Sequence, residues 1–235
     1  GVVDPPAFIA ALAGDMPVVR AAARRIRRAE AGLVGETEAG ALGGFDAVIL
    51  ANGFEALRFV EARGLPLSRV AGQIDWFPNA TPPTRALAFG PYAAPAPGGG
   101  LVVGATYDRL AERERAAPCR AATAANIAAL ARLYPDLAAG LDPAASSPRA
   151  SVRCQTPDRL PVAGPLPDLG FYGAEYDALR TGERGDFPPG LMIEGVHILS
   201  GLGSRGLVTP PYAAALLIAE LVGAPIDHEI AQALH

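Results

Sequence analysis

Apolar and polar positions fall in short blocks along this chain, and the block period changes with position. Asp4 precedes PPAFIAALA, and a side-chain oxygen at the cap with Pro5 at the first position predicts a short helix over Pro5–Ala13. The next stretch, PVVRAAARRIRRAEAG, supports two elements. Its Ala/Arg content favours a helix, whereas Val18, Val19 and Ile26 flanked by arginines read as strand on a half-wet sheet. Residues 33–39 and 46–50 are strand-like. The second, FDAVILANG, is a fully apolar run ending in Ala-Asn-Gly, the pattern of a buried parallel strand whose C-terminal end meets a ligand.

Between 70 and 107 the pattern becomes β-prone runs separated by Pro/Gly turns: VAGQIDWFP, ALAFGPYAAPA and GGGLVVGATYD. This predicts an antiparallel sheet. A helix is predicted over 117–133, with Ile127, Leu130 and Leu133 as its apolar positions and Pro135 ending it. Residues 151–162 return to strand, 164–190 read as loop, and 191–199 form a second apolar strand. Thr209 caps the last helix, with Pro210 at its first position. Ligand-facing apolar strands thus stand near both ends, with an antiparallel insert between them. That layout is α+β, with a discontinuous nucleotide-binding part.

Composition narrows the class. Of 235 residues, 50% are hydrophobic and 19% charged, which suits a globular, soluble chain with a proper core. No apolar run reaches the roughly 18 residues of a membrane helix, and the opening GVVDPPAFIAALAGD has no basic leader region. The first residue is Gly, as expected of an excised piece of a longer protein. Cys119 and Cys154 read as two buried thiols of a reducing cytoplasm. His197, His228 and His235 are scattered without ligand spacing, so no metal site is expected. All 20 cations are arginine and the net charge is −4, which is atypical of a nucleic-acid binder but leaves room for a local basic patch.

Near the C-terminus, SGLGSRGL contains Gly201-Leu-Gly203-Ser-Arg-Gly206, a literal G-x-G-x-x-G. A pyrophosphate fingerprint also needs a second strand ending in an acidic residue. Asp227 stands at the right distance, yet APID is too short and carries a proline. The motif therefore reads as a loop that favours an anion at the next helix's N-terminus, or as a purely structural strand–helix turn.

Several segments resemble the FAD-dependent C-terminal domains of the bifunctional tRNA 5-methylaminomethyl-2-thiouridine biosynthesis (MnmC) proteins, of the D-amino acid oxidase/glycine oxidase superfamily. They are DAVILANG, AGQIDWFP, VVGATYDR, VRCQTPDRLPVAGPLPD and SGLGSRGL, in the family's order. The family more often has arginine where this chain has Ala71. The resemblance implies a D-amino acid oxidase/glycine oxidase-like α+β fold: a partial FAD-binding part over 1–57 and 190–235, and an antiparallel substrate-binding part over 58–189. It assigns the Arg20–Arg28 run to strand. It also implies that the family's pyrophosphate-binding unit lies N-terminal to this chain, and that a methyltransferase domain precedes it in the parent.

The implied reaction oxidises the N–CH2 bond of a carboxymethylaminomethyl group on tRNA wobble uridine. The hydride passes to FAD, and hydrolysis of the imine leaves aminomethyl-uridine and glyoxylate. By resemblance, Arg153 would hold the substrate carboxylate, the alternative being a strand arginine paired with Asp158. Backbone N–H groups of Gly203, Ser204, Arg205, Gly206 and Leu207 would face the flavin, with Asn52 and Gly53 approaching the cofactor. Tyr107 would line the pocket or lie in the core. Gln73 would meet flavin or substrate, or serve at a sheet edge. Trp76 is expected in the core rather than as a base-stacking platform. Arg24, Arg25, Arg27 and Arg28 are expected on a solvated strand face rather than on tRNA phosphates, and Arg205 on a phosphate or the substrate carboxylate. Two alternatives stay open: an oxidase of free glycine, sarcosine or a D-amino acid, and a non-catalytic fragment that binds no cofactor alone.

Overall fold

The computed structural model describes residues 2–111 and 114–225. The chain divides into two compact units. Unit 1 comprises Gly1–Pro17 and Arg69–Arg153; unit 2 comprises Val18–Ser68 and Cys154–His235. The unit limits differ from the spans drawn from sequence: residues 1–17 join the antiparallel part, and 58–68 and 154–189 join the other.

Unit 1 begins with helix α1 (Pro5–Ala13), whose Asp4 side chain accepts from the Ala7 amide, as the cap pattern predicts. Its sheet is built from β5 (Ser68–Phe77), β6 (Leu87–Ala88), β7 (Tyr92–Pro95), β8 (Leu101–Gly104), β9 (Asp108–Arg109) and β10 (Ser147–Gln155). The order is β10-β5-β8-β7-β6, with β9 also on β5. Helices α2 (Arg120–Ala131) and α3 (Pro135–Ala139) complete the unit. Leu130 of α2 and Ala138 of α3 pack with Phe77, Ala93, Leu101 and Val103 of the strands, forming one apolar core. Leu133, predicted on the apolar face of α2, lies beyond its end and is exposed.

Unit 2 holds a three-stranded antiparallel sheet, β1 (Ala23–Ala29), β2 (Gly32–Thr37) and β3 (Gly40–Phe45). Here pairing overrides helix propensity. Ile26 is buried at 6% exposure while its arginine neighbours face water, so the half-wet strand wins. A second sheet has the order β11 (Val162–Pro167), β12 (Met192–Ser200), β4 (Val48–Leu50). β12 and β4 are parallel, as the apolar runs predict, and β11 is antiparallel to β12. Val196 and Ile198 face a core with Ile26, Leu33, Leu50, Phe59 and Leu166. Helix α5 (Pro210–Leu221) places Ala213 and Leu217 against Ala163 and Leu199.

Residues 164–190 are more ordered than the expected loop. β11 tolerates Pro165 and Pro167 because it is an edge strand, where a missing N–H breaks no ladder. Helix α4 (Leu169–Glu175) follows, with the Asp168 carboxylate accepting from the Phe171 amide at 3.0 Å. Thr209 holds the cap position of α5, but its hydroxyl makes no capping bond. Among the described residues, no helix is long and apolar enough to cross a membrane. Asp227, His228 and His235 lie outside the described residues.

Candidate functional site

In unit 1, alternation along β5 sends successive side chains to opposite faces of the sheet. Gln73 and Asp75 face α2, whereas Gly72, Ile74 and Trp76 face away from it. Cross-strand register carries the second face onward: Ile74 pairs with Gly104, Trp76 with Val102, and Tyr92 with Gly104. From β10, Arg153 reaches onto that face, lying over Gly72. A Cβ built on Gly72 would stand 2.0 Å from Arg153 Nη1 and 2.5 Å from Cζ. Only glycine lets the guanidinium occupy this place.

Two backbone carbonyls and one ring hold Arg153. Nη1 donates to Ala71 O at 3.3 Å and to Thr106 O at 3.2 Å, and Cζ lies 5.9 Å from the Tyr107 ring centroid. Thr106 is fixed in turn, its hydroxyl accepting from the Gln73 amide at 3.0 Å. Among the described residues Arg153 is in no ion pair, with Asp158 or any other acid, and its Nε and Nη2 donate no hydrogen bond. Two parallel N–H groups therefore remain, the geometry that binds a carboxylate bidentately. Tyr107 is 49% exposed, so it is not a core residue.

Tyr92 belongs to the same face and was absent from the residues singled out by sequence. Desolvation raises its phenol above the ordinary 10.0, and the positive charge of Arg153 partly opposes that rise. The strand period of GPYAAPA was the available signal. Trp76 also departs from expectation. It is 37% exposed, and its indole N–H donates to Gly99 O at 2.9 Å, so one edge is anchored while part of the side chain stays open.

Gln73 is buried, and its side chain is bonded within the fold. Its Nε2 donates to Thr123 Oγ1 (2.9 Å), Cys119 O (3.2 Å) and Asp75 Oδ1 (3.2 Å), and its Oε1 accepts from Cys119 N (2.8 Å). The carboxamide is fully engaged under α2. It bonds both backbone groups of Cys119, which holds the N-cap position of α2 without a side-chain cap of its own. Cys119 is exposed and Cys154 half-buried, so neither is the fully buried thiol expected.

In unit 2, the loop after β12 carries the remaining candidates. Gly203 adopts φ +55, the left-handed region that favours glycine. Its amide donates to Cys154 O at 2.8 Å, and the Arg205 amide donates to Leu202 O at 3.0 Å. These two N–H groups are thus engaged, that of Gly203 by strand β10 and that of Arg205 within the loop. The amides of Ser204, Gly206 and Leu207 have no partner among the described residues, and all three residues are exposed just before α5. Three free amides beside a 12-residue helix N-terminus form an electropositive turn. Asn52 is exposed at the end of β4, and the Gly53 φ is +62. Asn52 lines a cleft of about 570 Å3 with Val48, Ile49, Leu50 and Phe59. The arginine stripe of β1 is largely neutralised: Arg24, Arg27 and Arg28 pair with Glu38, Glu36 and Glu194.

Comparison with known proteins places these features in a family context. Residues 1–221 match the family model described as DAO, FAD dependent oxidoreductase. The tRNA 5-methylaminomethyl-2-thiouridine biosynthesis bifunctional protein MnmC of a Pseudomonas putida strain is 37% identical over 201 residues, covering 80% of this chain and 30% of that protein. The protein of that name from a Pseudomonas aeruginosa strain is 34% identical, covering 100% of this chain and 38% of its own length. The chain thus spans about a third of the curated relatives it matches. Iminodiacetate oxidase from Chelativorans sp. BNC1 shares the fold at TM-score 0.61 and 21% identity, over 86% of this chain and 49% of that one. Glycine oxidase from Geobacillus kaustophilus does so at 0.62 and 19%, over 87% and 49%.

Proposed function

The chain belongs to the DAO family of FAD-dependent oxidoreductases, and from that premise we propose that it is the substrate- and flavin-facing part of an enzyme oxidising the C–N bond of a glycine-like secondary amine. The substrate we favour is the carboxymethylaminomethyl group of a tRNA wobble uridine. The observation that carries the reading is Arg153: a guanidinium fixed by two carbonyls and a ring, on an open sheet face, with a free fork and no ion-pair partner among the described residues. Such an arginine positions a carboxylate. Tyr107 and Tyr92 border it, and partial desolvation raises the Tyr92 phenol above its ordinary value.

The cofactor-side residues fit a flavin. The free amides of Ser204, Gly206 and Leu207 and the α5 N-terminus suit the negative charge that a reduced flavin carries. Bound FAD supplies the two-electron acceptor for the amine. Asn52 and Gly53 would flank it at the end of β4. The pyrophosphate site would come from a further segment of the parent, pairing along the edge of β4, which has no strand partner on that side among the described residues. The parent is proposed to act in the cytoplasm.

The test uses the flavin-loaded parent. Release of glyoxylate from carboxymethylaminomethyl-tRNA, lost in Arg153→Gln, is the expected result. Activity on free glycine with hydrogen peroxide production, and none on the tRNA, would overturn the tRNA reading. That second reading draws on the net charge of −4 and the ion-paired arginines of β1.

A further inference from the structure

Arg153 is not alone on its strand face. Arg149 and Ser151 precede it at intervals of two, so all three project to the same side of β10. Together with Gly72 and Ile74 they line a cleft of about 190 Å3. No acidic side chain lines it among the described residues, and Arg149 is exposed with no ion pair or hydrogen bond. This contrasts with β1, where three of four consecutive-pair arginines have carboxylate partners. Four residues along a strand separate the two Cα atoms by about 13 Å. A molecule anchored by a carboxylate at Arg153 therefore meets Arg149 only with a second anionic group at the far end of its length.

We propose that Arg149 and Ser151 form a second anion subsite, which takes a phosphate of the nucleotide whose carboxymethylamino group is held at Arg153. The proposal rests on the carboxylate reading of Arg153 and deepens it. Free glycine or sarcosine has no second anionic group to place at Arg149; a nucleotide carries a phosphate several bonds beyond the uracil ring, and an arginine recognises it with the same paired N–H donors. The Ser151 hydroxyl adds one more donor.

Trp76 is the single tryptophan and stands two residues beyond Ile74 on the same face, so its fluorescence reports ligands in this cleft. The chain is titrated with carboxymethylaminomethyl-uridine, with its 5′- and 3′-monophosphates, and with inorganic phosphate. The expected result is about tenfold tighter binding of one monophosphate than of the nucleoside, the scale of a partly exposed charge-assisted pair. In Arg149→Gln that ratio collapses to about one, with an unchanged circular dichroism spectrum. Equal affinity of the nucleoside and both monophosphates, or a ratio that persists in Arg149→Gln, overturns the proposal. If Arg153→Gln leaves nucleoside binding intact while phosphate still competes through Arg149, the carboxylate reading fails and the anion subsite stands.

Discussion

The two faces of the unit 1 sheet are one residue apart in sequence and opposite in chemistry. Toward α2, Asp75 has no exposed surface and accepts from Thr123 Oγ1 at 2.7 Å, Asn126 Nδ2 at 2.7 Å and Gln73 Nε2 at 3.2 Å. Asn126 Nδ2 also donates to Gln73 O at 3.0 Å. Every member has a partner, so the network holds α2 on the sheet. On the other face, among the described residues, Arg153 keeps donors without partners and the Arg149 side chain has no partner. Polar groups satisfied inside the fold serve stability, and polar groups left unsatisfied at its surface are available to a ligand.

Breaking the closed face should produce the largest effect. Asp75→Ala removes the carboxylate that three buried donors share and should cost about 3 kcal/mol, read as a lower urea midpoint. A midpoint within experimental error of the parent would mean that the network is not structural. Breaking the open face should leave stability nearly intact and remove binding. Arg153→Gln is expected to weaken carboxylate ligands ten- to a hundredfold, and Arg153→Lys to recover only part, because an ammonium has no fork. Equal affinity in the lysine variant would show that charge alone matters.

Gly72→Ala sharpens the contrast, because Gly72 lies on the open face of a strand otherwise engaged with the core. The new methyl would overlap the guanidinium of Arg153, to which its three nearest heavy atoms all belong, so the guanidinium should move while the sheet stays. A folded variant with carboxylate affinity reduced about tenfold is the expectation. A collapse of the melting transition would instead show that Arg153 cannot move.

The smallest effect concerns Tyr92. Burial makes the folded state hold its phenolic proton more tightly than the unfolded chain does. The linked stabilisation is present below about pH 10 and is lost as pH rises through the raised folded value. Arg153→Gln removes the opposing positive charge and should move this titration further upward. Phenolate absorbance, with Tyr92→Phe identifying the transition among the six tyrosines, would show it. An unchanged titration would place Arg153 away from the hydroxyl.

The apolar strands β4 and β12, the antiparallel character of 70–107 and the caps of α1 were legible because each follows from local period or from a cap residue. The strand β1 was ambiguous because Ala/Arg propensity and the burial of Ile26 point to different elements. β3, GALGGF, was invisible because glycine-rich segments carry no strand signal until a partner pairs with them. The candidate site was half legible. Arg153 and the Ser204–Leu207 loop came from motif resemblance, whereas Gln73, Tyr92 and Trp76 required knowledge of which face each residue takes.

By itself, the sequence determined the element types with strong periodicity, the family, and the residue kinds available for chemistry. Only the tertiary structure decided which side of β5 faces α2. That choice turned Gln73 into a clamp on Cys119, exposed Trp76, and left Arg149 and Arg153 together over a cleft that no acid lines among the described residues. The reason is physical: a strand's alternation is set locally, but which face becomes the inside depends on the helix that packs against it.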